Sequence, residues 1–196
     1  MRKLLFAGFV AALLMTAVSA QTNASKTNLE TVPSVDLKRY AGTWYEIARY
    51  PNKFEKNCVG NVTTTYTLKD DGNLEVLNKC LKKNGKINNV KGEAKVIDKT
   101  TNAKLKLRFA PGFPSFLPKA WEFNYWIFNL APDYSYSLVS DSERNYLWIL
   151  SRTPQMDTAT YENILHTVER QGFVPNKLVK TPQKVETIKG TVLQKH

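Results

Sequence analysis

The chain has 196 residues, 42% of them hydrophobic and 23% charged, which is neither a disordered nor a fibrous composition. Its formal charge is +11, and two cysteines and two histidines are its whole stock of soft metal ligands. A zinc site of four cysteines or of three histidines is therefore excluded within one chain, and no close ligand spacing supports a mixed one, so no metal or cofactor is expected. No apolar run of spanning length follows residue 20, which excludes a helical membrane span after that point.

In chain order, Arg2-Lys3 is a short positive start, Leu4 to Val18 is an apolar stretch, and Val18-Ser19-Ala20 places small residues where signal peptidase cuts. Residues 1–20 thus read as a removable export signal, leaving 176 residues, enough for one domain with a real core. An uncleaved anchor is the alternative. No cysteine follows the apolar run, so the route to a lipid anchor is closed, and the expected product is exported, soluble, and periplasmic or secreted. Residues 21–35, rich in Asn, Thr, Ser and Lys, read as a flexible arm.

From there the chain keeps a period of two. Thr43 to Tyr50, Val62 to Leu68, Leu74 to Leu77, Val90 to Ile97, Lys104 to Phe109, Trp121 to Leu130, Tyr134 to Val139 and Asn145 to Arg152 are short runs rich in β-branched and aromatic residues, most of them separated by Gly, Pro, Asn or Asp. Eight strands without intervening helices predict an antiparallel sandwich or an up-and-down barrel. The Asp70-Asp71-Gly72 turn between the second and third runs makes a hairpin. Folding it about Asp71 brings Cys58 and Cys80 nearly opposite one another, and export permits a disulfide there.

One segment breaks the alternation. Tyr161, Ile164, Leu165 and Val168 form the apolar stripe of a helix, with Asp157 as N-cap and Gly172 at its end. Such a stripe can pack only on the outside of a sheet. His166 falls on its polar side and reads as a solvated surface residue; His196 lies in the charged tail.

Gly42-Thr43-Trp44 opens the first strand, within a run from Asp36 to Arg49; Asp133-Tyr134 leads into Tyr136-Ser137-Leu138-Val139; and Tyr146 to Pro154 contains Arg152. These three motifs, in this order, resemble those of the lipocalin family, most nearly its bacterial outer-membrane members and apolipoprotein D, over about Asp36 to Lys180. The bacterial members carry a lipobox cysteine that this chain lacks. The resemblance implies an eight-stranded up-and-down barrel over residues 36–180 with one helix outside, followed by a basic tail, 181–196. It also implies that Arg152 lies across Trp44 at the closed end, where Gly42, Trp44 and Arg152 are structural.

The ligand would then occupy the open half of the barrel. Parity from Trp44 and Arg152 sends Trp148 and Leu150 inward on the eighth strand, and Glu46 inward on the first. The resemblance to apolipoprotein D places Tyr66, Asn78 and Phe109 at pocket positions, with Thr64 and Val76 on the same inward faces as the first two. Leu105 and Leu107 share the face of Phe109, and Tyr136 and Leu138 share one on the seventh strand. The expected chamber is apolar and aromatic with a few hydroxyl and amide handles, the make-up of a small-molecule site; a fully packed barrel is the alternative. The connector from Pro111 to Pro118 carries three prolines and three large apolar residues, and reads as a lip at the mouth or as a loop folded on the rim.

Catalysis has little support, because no Gly-x-Ser-x-Gly elbow, His-Glu-x-x-His helix or phosphate-cradling glycine loop occurs. The lysines between Lys79 and Lys86 and in the tail read first as a device for solubility, and next as suited to anionic membrane surfaces or anionic ligand heads rather than nucleic acid, because the aromatics alternate along strands as core residues do. The expectation is a carrier of a hydrophobic small molecule such as a fatty acid or lysophospholipid, monomeric or weakly dimeric, and not an enzyme. A low-specificity barrel enzyme acting on a lipid or isoprenoid, and a basic module for anionic surfaces, are the rivals.

Overall fold

A computed structural model describes residues 28–109 and 123–184. The expected signal 1–20, the connector 111–118, the start of the sixth strand at Trp121 and the tail beyond Lys184 lie outside the described residues. Eight antiparallel strands follow one another: β1 (Gly42–Arg49), β2 (Cys58–Leu68), β3 (Leu74–Lys82), β4 (Ile87–Val96), β5 (Lys104–Arg108), β6 (Phe123–Leu130), β7 (Tyr136–Ser140) and β8 (Leu147–Ser151). Each pairs with the next, and β1 pairs with both β8 and β2, so the sheet closes into a barrel. A short helix α1 (Leu37–Tyr40) precedes the barrel, α2 (Thr158–Arg170) follows it, and a two-residue β9 (Val179–Lys180) pairs with the end of β1 on the edge away from β8. The Asp157 carboxylate caps α2 by accepting from Thr160 N.

Two packed layers result. Inside the barrel, Trp44, Tyr66, Leu105, Tyr125, Ile127 and Val139 belong to one core. Outside it, Tyr161, Ile164 and Val168 of α2 press on Ala48, Phe128, Leu138, Leu147 and Ile149. Strands beneath α2 are therefore buried on both faces, and their sequences lose the clean alternation of a half-exposed strand. This corrects the reading of β7. Tyr136 and Leu138 are its more apolar pair, but they face α2, while Ser137 and Val139 face inward. The pairing Leu138↔Ile149 fixes the phase, because residues opposed across two strands share a face.

The chain ends also differ from expectation. Residues 28–35 are no free arm: Leu29 is buried in the outer core, Val35 in the inner one, and Val32 N donates to Ile127 O at 3.0 Å. At the other terminus, Thr181 to Lys184 are hydrogen-bonded to β1 and β2 and form part of the wall.

Candidate functional site

The barrel interior has a sealed end and a hollow end. At the sealed end Trp44 is fully buried and its indole N–H donates to Tyr40 O at 2.9 Å. The Arg152 guanidinium lies 3.8 Å above that ring and donates to the carbonyls of Thr43, Arg39 and Tyr40 at 3.1, 2.6 and 3.1 Å. Gly42 permits this approach, since its φ is +96° and a Cβ there would lie 3.3 Å from the guanidinium. Above them the hydroxyls of Tyr66 and Tyr40 each meet that of Tyr125 at 2.8 Å, and Tyr40 also meets Ser137 Oγ at 3.1 Å. Burial pushes the Tyr40 hydroxyl up to about 12 and those of Tyr66 and Tyr125 higher than an ordinary tyrosine, so all three stay neutral. These hydroxyls satisfy one another and form the floor of what lies above.

That space is a cavity of about 230 Å³. Of the expected pocket residues, Thr64, Tyr66, Asn78, Leu107, Phe109 and Trp148 line it. Val76 and Leu105 face inward but are packed into the core, and Tyr136 and Leu138 lie outside the barrel as described. The Cys58–Cys80 disulfide is present, with Cα atoms 5.6 Å apart, and both residues touch the cavity. Toward the mouth the wall is aromatic. Phe123 packs edge-on against Phe54, Tyr146 and Trp148, with ring centroids 6.0, 5.2 and 5.3 Å away. Asn78 Oδ1 is buried and has no hydrogen-bond partner among the described residues, so the apolar wall carries one uncommitted acceptor.

Besides Lys79 of β3, the charged groups of the cavity wall among the described residues come from β1 and the connection after it. Glu46 Oε1 accepts from Arg49 at 2.8 Å and from the Thr181 hydroxyl. Arg49 Nε lies 2.7 Å from Glu55 Oε2, and Trp148 Nε1 donates to Glu55 Oε1 at 3.0 Å. Two carboxyl groups thus share one guanidinium. Burial, and then the Glu55 carboxylate, push Glu46 well above the usual carboxylate range, against the pull of Arg49 and Thr181. Among the described residues no group of three His, Cys, Asp or Glu side chains is gathered to hold a metal ion. His166 is exposed on α2.

Sequence reasoning missed Arg49, Glu55, Phe54, Phe123, Tyr125 and Thr181. Strict alternation from Trp44 sends Arg49 outward. A bulge between Glu46 and Ala48 breaks the alternation, turning Ala48 toward α2 and Arg49 toward Glu46. Glu55 and Phe54 sit in an irregular connection and Thr181 in a segment read as tail, where no periodicity exists to read.

A family model described as a lipocalin-like domain matches residues 35–183. The chain is 39% identical to temperature-induced lipocalin-1 of Arabidopsis thaliana over 160 residues, covering 81% of this chain and 84% of the relative. It is 36% identical to the outer membrane lipoprotein Blc of Escherichia coli strain K12, covering 91% and 96%, and 35% identical to apolipoprotein D of Mus musculus, covering 92% and 94%. Among solved structures, insecticyanin of the tobacco hornworm Manduca sexta superposes with a TM-score of 0.65 at 20% identity, over 82% of this chain and 86% of that one. At that identity the likeness is one of fold.

Proposed function

Since this chain belongs to the lipocalin family, whose members bind small hydrophobic ligands inside a barrel, we propose that it binds and carries a lipid with a single acyl chain, a fatty acid or lysophospholipid, in the cavity above Tyr66 and Tyr125. The observation that carries this reading is the cavity's composition. Its walls are aromatic and aliphatic, and the tyrosine hydroxyls and the indole N–H that line it are already hydrogen-bonded to protein. What remains to offer a ligand is the Asn78 side-chain carbonyl and apolar surface, on which each buried methylene contributes about 0.8 kcal/mol. A volume of about 230 Å³ suits one slender chain rather than two.

In this reading the polar head stays at the mouth, where Lys82, Lys83 and Lys86 follow or lie beside the end of β3. Phe54 and Ile87, 54% and 56% exposed, belong to the same end of the barrel, with the Lys53 ammonium 5.4 Å over the Phe54 ring. Apolar tips among cations suit contact with an anionic membrane surface, where such a lipid is collected or delivered. The disulfide supports an exported, oxidising location. The buried carboxyl groups are tied to Arg49, Thr181 and Trp148, and the Thr181 hydroxyl has no imidazole to activate it among the described residues, His166 being exposed on α2, which supports a carrier rather than a catalyst.

The test has two parts. Solvent extraction of the purified protein followed by mass spectrometry should yield an acyl lipid in near-stoichiometric amount. Titration with fatty acids of about eight to about eighteen carbons at two salt concentrations should show affinity rising with length until the cavity is full. Flat affinity across chain length with a steep loss in salt would assign binding to the charged surface and overturn the proposal.

A further inference from the structure

The barrel wall differs around its circumference. β1 and β2 pair directly only from Gly42↔Tyr66 to Tyr45↔Thr63. The next pair in that register would be Glu46 with Val62, but their carbonyls do not join a ladder. Both accept instead from one side chain, Gln183 Nε2, at 2.8 and 2.9 Å. Farther along the gap, Thr181 N donates to Ile47 O at 2.9 Å, Asn61 N donates to Pro182 O at 2.8 Å, and Lys184 N donates to Asn61 Oδ1 at 2.7 Å. β9 continues the contact at Ala48 and Arg49. Residues 179–184 therefore fill a seam, bonded to β1 on one side and to β2 on the other.

The seam has a cause in β2. Its register against β3 shifts twice between Cys58 and Thr63, and Asn61 adopts a left-handed φ of 49°. The Cys58–Cys80 disulfide ties that end of β2 to β3, so it follows β3 and leaves β1. Gly60 makes room for the strip, because a Cβ there would lie 2.6 Å from Pro182 O. Glu46, Val62 and Cys58, which border the seam, also line the cavity. On the cavity side the Thr181 hydroxyl meets the Glu46 carboxyl and accepts from Arg49 at 3.0 Å. The mouth, by contrast, is narrowed by Phe54, Phe123 and Tyr146, and Glu55 anchors the 50–57 connection to Trp148 and Arg49.

We propose that residues 179–184 are a detachable strip of barrel wall, latched by Thr181 and Gln183, and that the seam beneath them is a lateral entrance through which the hydrophobic ligand exchanges. This rests on the reading that the cavity holds such a ligand. The strip is held by a two-residue pairing with β1, by single backbone bonds at Thr181 and Asn61 and by side-chain amide and hydroxyl bonds, whereas neighbouring strands of the barrel pair over at least four residues, so it opens locally at lower free energy than the strands around it.

The test uses the full chain and dansylaminoundecanoic acid as a fluorescent probe in stopped flow. Gly60→Ala pushes against Pro182 and Gln183→Ala removes the bridge, and neither residue lines the cavity. Both variants should speed probe association and dissociation by about tenfold with little change in their ratio, whereas Phe54→Ala, which widens the mouth but also removes cavity wall, should weaken binding through faster dissociation without speeding association. If Gly60→Ala does not fold, Gln183→Ala decides. Amide hydrogen exchange on the ligand-free protein gives a second reading: the Thr181 and Asn61 amides should exchange well before those of the β7–β8 ladder. Strip amides as protected as that ladder, or bound probe with unchanged rates in the seam variants, would overturn the entrance while leaving the carrier reading intact. Wild-type protein that binds no probe would remove the cargo and the entrance together.

Discussion

Each end of this barrel sets an arginine near a tryptophan, and the two constellations behave differently. At the sealed end Trp44 and Arg152 give every hydrogen bond they make to backbone carbonyls. Such partners do not titrate and do not move independently of the fold. At the hollow end Trp148 and Arg49 both converge on Glu55, and Arg49 also on Glu46, so their partners are carboxyl groups beside a cavity. The residue types are the same. What separates a structural constellation from one able to respond to a ligand or to pH is the chemistry of the acceptor.

Trp44→Ala should cost about 3–5 kcal/mol of stability in chemical denaturation, as large-to-small core changes do. Its effect on ligand affinity per folded molecule should be small, and a variant of wild-type stability that no longer binds would make the sealed end part of the site. Next comes the bridge at the hollow end. Reducing Cys58–Cys80, which are 22 residues apart, should cost roughly 3 kcal/mol on the chain-entropy account and leave the far-ultraviolet spectrum unchanged. Thiols that titrate freely in unreduced protein would contradict the bridge.

The sealed end was legible in the sequence and much of the hollow end was not. Gly42, Trp44 and Arg152 announce themselves by motif, and the hairpin places Cys58 near Cys80 by simple counting. Trp148 and Glu46 follow from strand parity because β8 and the first half of β1 are regular. Arg49 escapes because a bulge reverses parity within one residue, and Leu138 misleads because α2 makes the outer face of β7 more apolar than the inner one. Glu55 and Thr181 come from segments without a period and reach the site only through tertiary contacts. The elements that follow a repeat can be read; the side chains that charge the cavity belong to the irregular connections between them.

A smaller effect sharpens the assignment of the hollow end. Trp148 packs against Phe123 and lines the cavity, yet it is only partly buried, so truncating it removes ligand contact more than core. Trp148→Ala should weaken fatty-acid binding by about tenfold or more, roughly 1.4 kcal/mol, and lower stability by less than Trp44→Ala does. Equal losses of stability for the two tryptophans would mean that the hollow end is packed as tightly as the sealed one.

A pH dependence at Glu46 isolates the acceptor chemistry itself. Glu46 faces Glu55 and Arg49, and burial together with the Glu55 carboxylate raises its proton affinity in the folded protein above the ordinary glutamate value of 4.5. Between that value and the raised one, the folded state binds a proton that the unfolded state has lost. The stability Glu46 contributes is therefore fully present below pH 4.5 and is lost progressively as pH rises toward the raised value. Glutamine has the shape of the protonated acid, with a carbonyl to accept from Arg49 and Thr181 and an amide to face Glu55. Glu46→Gln should match wild type in mildly acidic buffer and exceed it in alkaline buffer. The difference between variant and wild type, measured by denaturation from about pH 5 to about pH 9, cancels the exposed carboxylates whose depressed values act in the opposite direction at lower pH. A difference that does not change across that range would mean that Glu46 is ionised throughout, with Arg49 compensating both carboxylates, and the contrast between the two ends would then rest on exposure alone.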